Sequence, residues 1–211
     1  MPHPNPLGCG VSDVRHHCVM PRIPWDAGRW TTAPVASIID GDHLLVTAAE
    51  GSDAWRVTSY GFVHDDEHAL IAPFPDDSAM EVTFRVDLAE QFDQAGVFVR
   101  GSDRRWIKAG IEFADGTPQL GAVVTEEFSD WSVAPVPDWN HHDATIRVSR
   151  SGDALTVRAR LDSGPWQLVR LAHLTPGEVL DAGPFCCSPT RGGLVVRFLS
   201  WESTASDAAL H

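Results

Sequence analysis

The feature that most constrains this chain is a two-residue alternation of apolar and polar side chains that recurs almost throughout, with no stretch carrying a helical period. Glu81–Asp87 alternates strictly, and Ala95–Arg100 reads as a short buried strand. Trp106–Phe113 alternates again, Asp115-Gly116 gives a turn, and Gln119–Thr125 is the next strand. Thr145–Arg150, a Ser151-Gly152-Asp153 turn and Ala154–Leu161 form a hairpin. Gly164-Pro165 turns the chain into Trp166–Ala172, and Phe185–Cys187 and Leu194–Trp201 complete the set. Turn signals every 8–12 residues or so, without helices between them, predict an all-β sandwich or barrel.

Parity along each strand assigns faces. In Trp106–Phe113, Ile107, Ala109, Ile111 and Phe113 share one face, while Trp106, Lys108, Gly110 and Glu112 share the other. In Gln119–Glu126, Leu120, Ala122 and Val124 oppose Gln119, Gly121, Val123 and Thr125. Read as one extended run, Asp53–Val63 puts Arg56, Thr58, Tyr60 and Phe62 on a common face. Faces carrying Trp, Tyr, Lys, Glu and small Gly suit the floor of a shallow cleft better than a plain exterior.

Of the 211 residues, 16 are basic and 29 acidic, a formal charge of −13. That balance excludes phosphate-backbone binding to nucleic acid and disfavours anionic membrane surfaces. No run of about 18 apolar residues predicts a membrane span. Lys108 is the only lysine among those 16 basic residues, which singles it out as a position where a compact ammonium is needed. Four cysteines, Cys9, Cys18, Cys186 and Cys187, form no regular framework and predict free thiols in a reducing, cytoplasmic compartment. No metal is expected at Cys9, His16, His17 and Cys18, nor any cofactor elsewhere. Residues 1–19, with Pro2, Pro4, Pro6, Gly8 and Gly10, read as a disordered or spurious leader, with Met20 the expected start. The domain is expected over 20–202, and 203–211 as a frayed tail.

Three strings occur in order: Asp93-Gln94-Ala95-Gly96 leading to Arg100, Trp106-Ile107-Lys108-Ala109-Gly110-Ile111-Glu112, and Ser129-Asp130-Trp131-Ser132. Together with Trp55–Phe62, Val123–Thr125, Arg170 and Cys187-Ser188-Pro189, they resemble the bacterial and fungal domain-of-unknown-function family that includes the fungal "regulation of enolase" protein. The resemblance runs from about Trp25 to Trp201. It implies a concanavalin A-like jelly roll of two curved antiparallel sheets, in an intracellular protein without a settled activity.

A glycosidase needs two carboxyl groups flanking one sugar bond. Sugar-cleaving members of the concanavalin A-like superfamily carry Glu-x-Asp-x-x-Glu, whereas here Asp115 has the wrong parity against Glu112, so the second acid would have to be Asp130. A lyase would draw on Lys108, Tyr60 and Arg56. A binding module needs less: Tyr60, Trp106 and Trp131 as planes, and Arg56, Arg100, Lys108, Glu112, Thr125, Asp130 and Arg170 as polar grip. In His64-Asp65-Asp66-Glu67-His68, which reads as a solvated loop, His68 is the member expected to matter. The expected function is therefore a non-catalytic binding domain whose partner is a carbohydrate or small polar metabolite. Two other classes stay open: a carbohydrate-active enzyme using Glu112, Asp130 and Lys108, and an interaction module that modulates a metabolic enzyme.

Overall fold

A computed structural model describes residues 22–210. The leader and its Cys9–Cys18 segment lie outside the described residues. In chain order the strands are β1 (Arg29–Trp30), β2 (Ala36–Asp40), β3 (His43–Thr47), β4 (Ala54–Arg56), β5 (Val63–Asp65), β6 (His68–Pro73), β7 (Ser78–Arg85) and β8 (Gln94–Ser102). They continue as β9 (Arg105–Ala114), β10 (Thr117–Glu126), β11 (Phe128–Pro135), β12 (Asp143–Ser151), β13 (Ala154–Leu161), β14 (Gln167–His173), β15 (Asp181–Cys187) and β16 (Val195–Ala205). Two seven-stranded antiparallel sheets form the sandwich, in the orders β1-β6-β15-β8-β9-β10-β11 and β14-β13-β12-β7-β16-β3-β2. Among the described residues no helix is long and apolar enough to cross a membrane.

The face assignments for β9 and β10 hold. Ile107, Ala109, Ile111, Leu120 and Ala122 enter the main core, with Phe113 and Val124 packed against it. Ile111 is 1% exposed, so Ile111→Ala should cost about 2–5 kcal/mol in a urea melt. A loss below about 1 kcal/mol would mean that the site can collapse and that the core is not packed there as described.

The first sheet is apolar on its outer face as well. Phe98, Trp106, Val123, Phe185 and Cys187 form a second buried layer, closed from above by Ala54 and Trp55. The cover is the β4–β5 hairpin, and it corrects one expectation. Asp53–Val63 is not one extended run. Val57, Ser59 and Gly61 all take positive φ (64°, 67° and 75°), reversing the chain before β5. Arg56 and Tyr60 therefore do not share a strand face.

Ser129–Ser132 belongs to the edge strand β11, and one boundary moves. At the end, β16 runs on to Ala205, and the Asp207 carboxylate accepts from Arg147 Nε at 2.8 Å and from Arg158. Residues 203–207 are thus part of the sandwich, because Arg147 and Arg158 need the acid to balance their charge.

Candidate functional site

Three glycines stand abreast on the outer face of the first sheet. The register pairs Gly110 with Gly96 on β8 and with Gly121 on β10. A methyl group on Gly110 would lie 2.1 Å from the Ala95 carbonyl oxygen, and one on Gly96 would lie 2.1 Å from the Ala109 oxygen. The bare backbone leaves a trough between Lys108 and Glu112, which flank Gly110 at i−2 and i+2.

Lys108 crosses that trough. Its Cα partner on β8 is Phe98, yet its Nζ donates to Gln94 Oε1 at 2.8 Å, and Gln94 is the register partner of Glu112. The ammonium thus lies toward Glu112 rather than above its own Cα. Nζ also donates to Asp53 Oδ1 at 2.8 Å, just before β4. That oxygen accepts further bonds from Ala54 N–H (2.8 Å) and Gln94 Nε2 (3.3 Å). Burial opposes ionisation of Asp53, but the Lys108 ammonium and these donors hold its carboxyl below the usual carboxylate range. Burial likewise disfavours the ammonium, and Asp53 outweighs it, so Lys108 titrates above its ordinary value. The result is a buried ion pair between the hairpin and the sheet.

Glu112 is different. Among the described residues its carboxyl group has no hydrogen-bond partner. Burial pushes it up to about 7, with Lys108 pulling down and Asp53 pushing further up. The sign for stability follows from linkage. The native state holds the Glu112 proton up to about pH 7 while the unfolded chain releases it near 4.5, so stability falls as pH rises between them. Glu67, buried just before β6 and also raised to about 7 by burial, adds a second such contribution. Glu112→Gln should therefore flatten part of the decline in melting temperature between pH 5 and 8. An unchanged slope would show that Glu112 is solvated.

Above the trough lies a cavity of about 360 Å³. Its polar floor is Asp53, Gln94, Lys108 and Glu112; its walls include Trp55, Tyr60, Phe62, His64, Phe92 and Trp131. The aromatic wall is continuous. Trp55 meets Trp131 edge-on (6.3 Å, 86°) and Tyr60 at 5.6 Å and 68°; Tyr60 stacks on Phe62 at 5.3 Å. On the opposite wall Phe92 adopts φ 67°, a strained value for a bulky residue. Asp93 holds it there by accepting from the Ala89 and Glu90 N–H groups and from Arg191.

Of the ten residues singled out from sequence, Tyr60, Lys108, Glu112 and Trp131 line this cavity. The others lie elsewhere. Trp106 is buried beneath, stacked on Phe98 at 5.4 Å. Thr125 is buried against Ser129 at 2.9 Å, and Ser129 Oγ accepts the Arg56 N–H, so these residues fasten β11 to β4. Arg56 itself turns outward to the Glu127 carbonyl. Arg100 pairs with Glu67 at 3.4 Å and with Asp103. Asp130 is opposite Val124 in register while Trp131 is opposite Val123, so Asp130 faces away from the cavity and pairs with Arg170 across to β14 at 3.5 Å. Glu112 and Asp130 consequently cannot flank one sugar bond. His68 is buried on β6, where its Nε2 accepts the Ala49 N–H at 2.9 Å and Nδ1 faces the Thr32 carbonyl oxygen; His64 is the histidine at the cavity.

The family described as "Protein of unknown function (DUF1349)" matches residues 30–206. The chain belongs to DUF1349. This DUF1349 chain is 36% identical over 185 residues to "Regulation of enolase protein 1" of Saccharomyces cerevisiae, covering 87% of this chain and 93% of that protein. A crystal structure of a functionally unknown protein from Saccharomyces cerevisiae superposes with a TM-score of 0.82 at 34% identity, over 88% of this chain and all of that one. A xylan β-1,4-xylosidase from Bacillus halodurans superposes at 0.66 and 12% identity, over 86% of this chain and 38% of that one. The last likeness is of fold alone and supports the two-sheet sandwich.

Proposed function

We propose that this DUF1349 protein is a non-catalytic binding domain whose cavity takes a carbohydrate or small polar metabolite. The observation that carries this is the unpartnered Glu112 carboxyl, set beside a Lys108–Asp53–Gln94 network and facing perpendicular aromatic planes. Glu112 is half-buried and opens onto the cavity, so a ligand placed here would supply the missing partner. The hydrolase alternative loses its second acid, because Asp130 is on the wrong face and Asp53 is committed to Lys108. A cytoplasmic setting fits the buried free thiols of Cys186 and Cys187. The name of the yeast relative supports a regulatory place in carbon metabolism.

A thermal-shift screen across sugars, sugar acids, amino sugars and glycolytic metabolites tests the reading. A ligand at about 100 times its Kd should add about 2.7 kcal/mol, several degrees for a domain of this size. Trp131→Ala should abolish that shift with its own melting temperature little changed. The reading fails if no compound stabilises the wild type, or if Trp131→Ala responds as well.

A further inference from the structure

The inventory of unpaired polar atoms says more about the ligand, granted that the cavity is a binding site. Lys108 already donates to Asp53 and Gln94. Asp53 takes all its cavity-side hydrogen bonds on Oδ1, and among the described residues none reaches its Oδ2. Neither oxygen of Glu112 is bonded among the described residues. The floor thus presents three unpaired carboxyl oxygens against one ammonium that is already engaged. With Lys108, Asp53 and Glu112 ionised, the floor carries a net charge of −1. The Trp55 and Trp131 planes stand at 86° and the Trp55 and Tyr60 planes at 68°, in edge contacts, so the aromatic wall of the cavity holds rings of different orientation. A formal charge of −13 draws cations toward the protein and repels anions.

We propose that the ligand of this cavity bears an ammonium group, a small organic cation whose charge sits between Glu112 and the Trp55–Trp131 corner. An anionic ligand would meet unpaired acceptors in a repelling field. A neutral polyol would leave Glu112 uncompensated once it ionises above about pH 7. A cation satisfies the acceptors and gains from the aromatic rings. An alkylated amine and an amino sugar, whose hydroxyls would use Asp53 Oδ2, are the two sources of such an ammonium; both share the same chemistry at Glu112.

Four probes decide this by calorimetry at low salt: choline, its uncharged carbon isostere 3,3-dimethylbutan-1-ol, glucosamine, and glucose. At least one cation should bind about tenfold or more tightly than its neutral counterpart, a difference of about 1.4 kcal/mol. Choline binding identifies the alkylated amine as the source, and glucosamine binding the amino sugar. Glu112→Gln, which keeps the shape of the side chain, should abolish the preference while the melting temperature stays at or above that of the wild type. Choline keeps its charge at all pH values, so its affinity should rise from pH 6 to 8 as Glu112 ionises. The other groups facing Glu112 are Lys108 on its own strand, Gln94 on β8, Gln119 on β10, Asp53, and Tyr60 and His64 across the cavity. Lys108 and Asp53 keep their charges over that range and the glutamines do not titrate. The slope that Glu112→Gln removes is therefore the part belonging to Glu112. Equal or tighter binding of glucose or the alcohol overturns the ammonium inference and leaves a neutral-ligand site. If none of the four binds, the inference is overturned, and the wider screen alone decides whether the cavity binds anything.

Discussion

Lys108→Met should cost the fold about 3–5 kcal/mol in a urea melt, because it leaves the Asp53 carboxylate buried without its ammonium. The Lys108 and Asp53 side chains are only 6% and 18% exposed, so solvent does little to soften the loss. The remaining donors, Ala54 N–H and Gln94 Nε2, are neutral and cannot replace a charge. Asp53→Asn with Lys108→Met should recover much of the stability, since the double variant leaves no lone charge. Binding should be absent in both, because the floor has lost its shape. A single-variant loss under about 1 kcal/mol would mean that the pair is solvated and that the hairpin is not held to the sheet through it.

Gly110→Ala should be the next most damaging change, at about 3 kcal/mol or more. The added methyl group meets backbone atoms of β8, the Ala95 carbonyl oxygen at 2.1 Å and the Gly96 Cα at 2.7 Å, which no rotamer change can relieve. The strands must separate, and the trough that Lys108 crosses goes with them. Gly116 makes a useful contrast. It takes φ +80° in the β9–β10 turn with nothing within 4 Å of an added methyl group, so Gly116→Ala should cost about 1–2 kcal/mol from backbone strain alone and leave the cavity intact. Similar losses at both positions would deny the three-glycine trough its special closeness.

The sandwich and the faces of β9 and β10 were readable because strand parity is a local property. Alternation over eight residues orients each side chain whatever the strand pairs with, which is why Ile111 and Glu112 went to opposite faces correctly. The cavity was half readable. Lys108 and Glu112 could be chosen on residue type and parity, Tyr60 and Trp131 on residue type within the strings that resemble the family. Asp53 could not, because its partner Lys108 is 55 residues away and no local pattern links them. The one hint was that the chain keeps a single lysine. Asp130 misled because Ser129–Ser132 alone does not set which way its side chains point. Once it is a strand, adjacent Asp130 and Trp131 must point opposite ways, and only Trp131 can join Val123. The hairpin misled in the reverse sense: Val57-Thr58-Ser59-Tyr60 alternates like a strand, but left-handed Val57 and Ser59 fold it back. That reversal places Tyr60 and Phe62 over a floor built by strands far away in sequence.

Entry of small polar ligands into the cavity between the β4–β5 hairpin and the first sheet would be seen at the tryptophan indole N–H resonances. The chain has 8 tryptophans, and Trp55 and Trp131 line the cavity while Trp25, Trp139 and Trp201 belong to the main core. In a ¹⁵N-correlated titration with the tightest ligand from the screens, the Trp55 and Trp131 signals should move together along one saturating curve, with the three core tryptophans still. Saturating shifts confined to Trp25, Trp139 or Trp201, or binding that leaves Trp55 and Trp131 unmoved, would place the site outside this cavity.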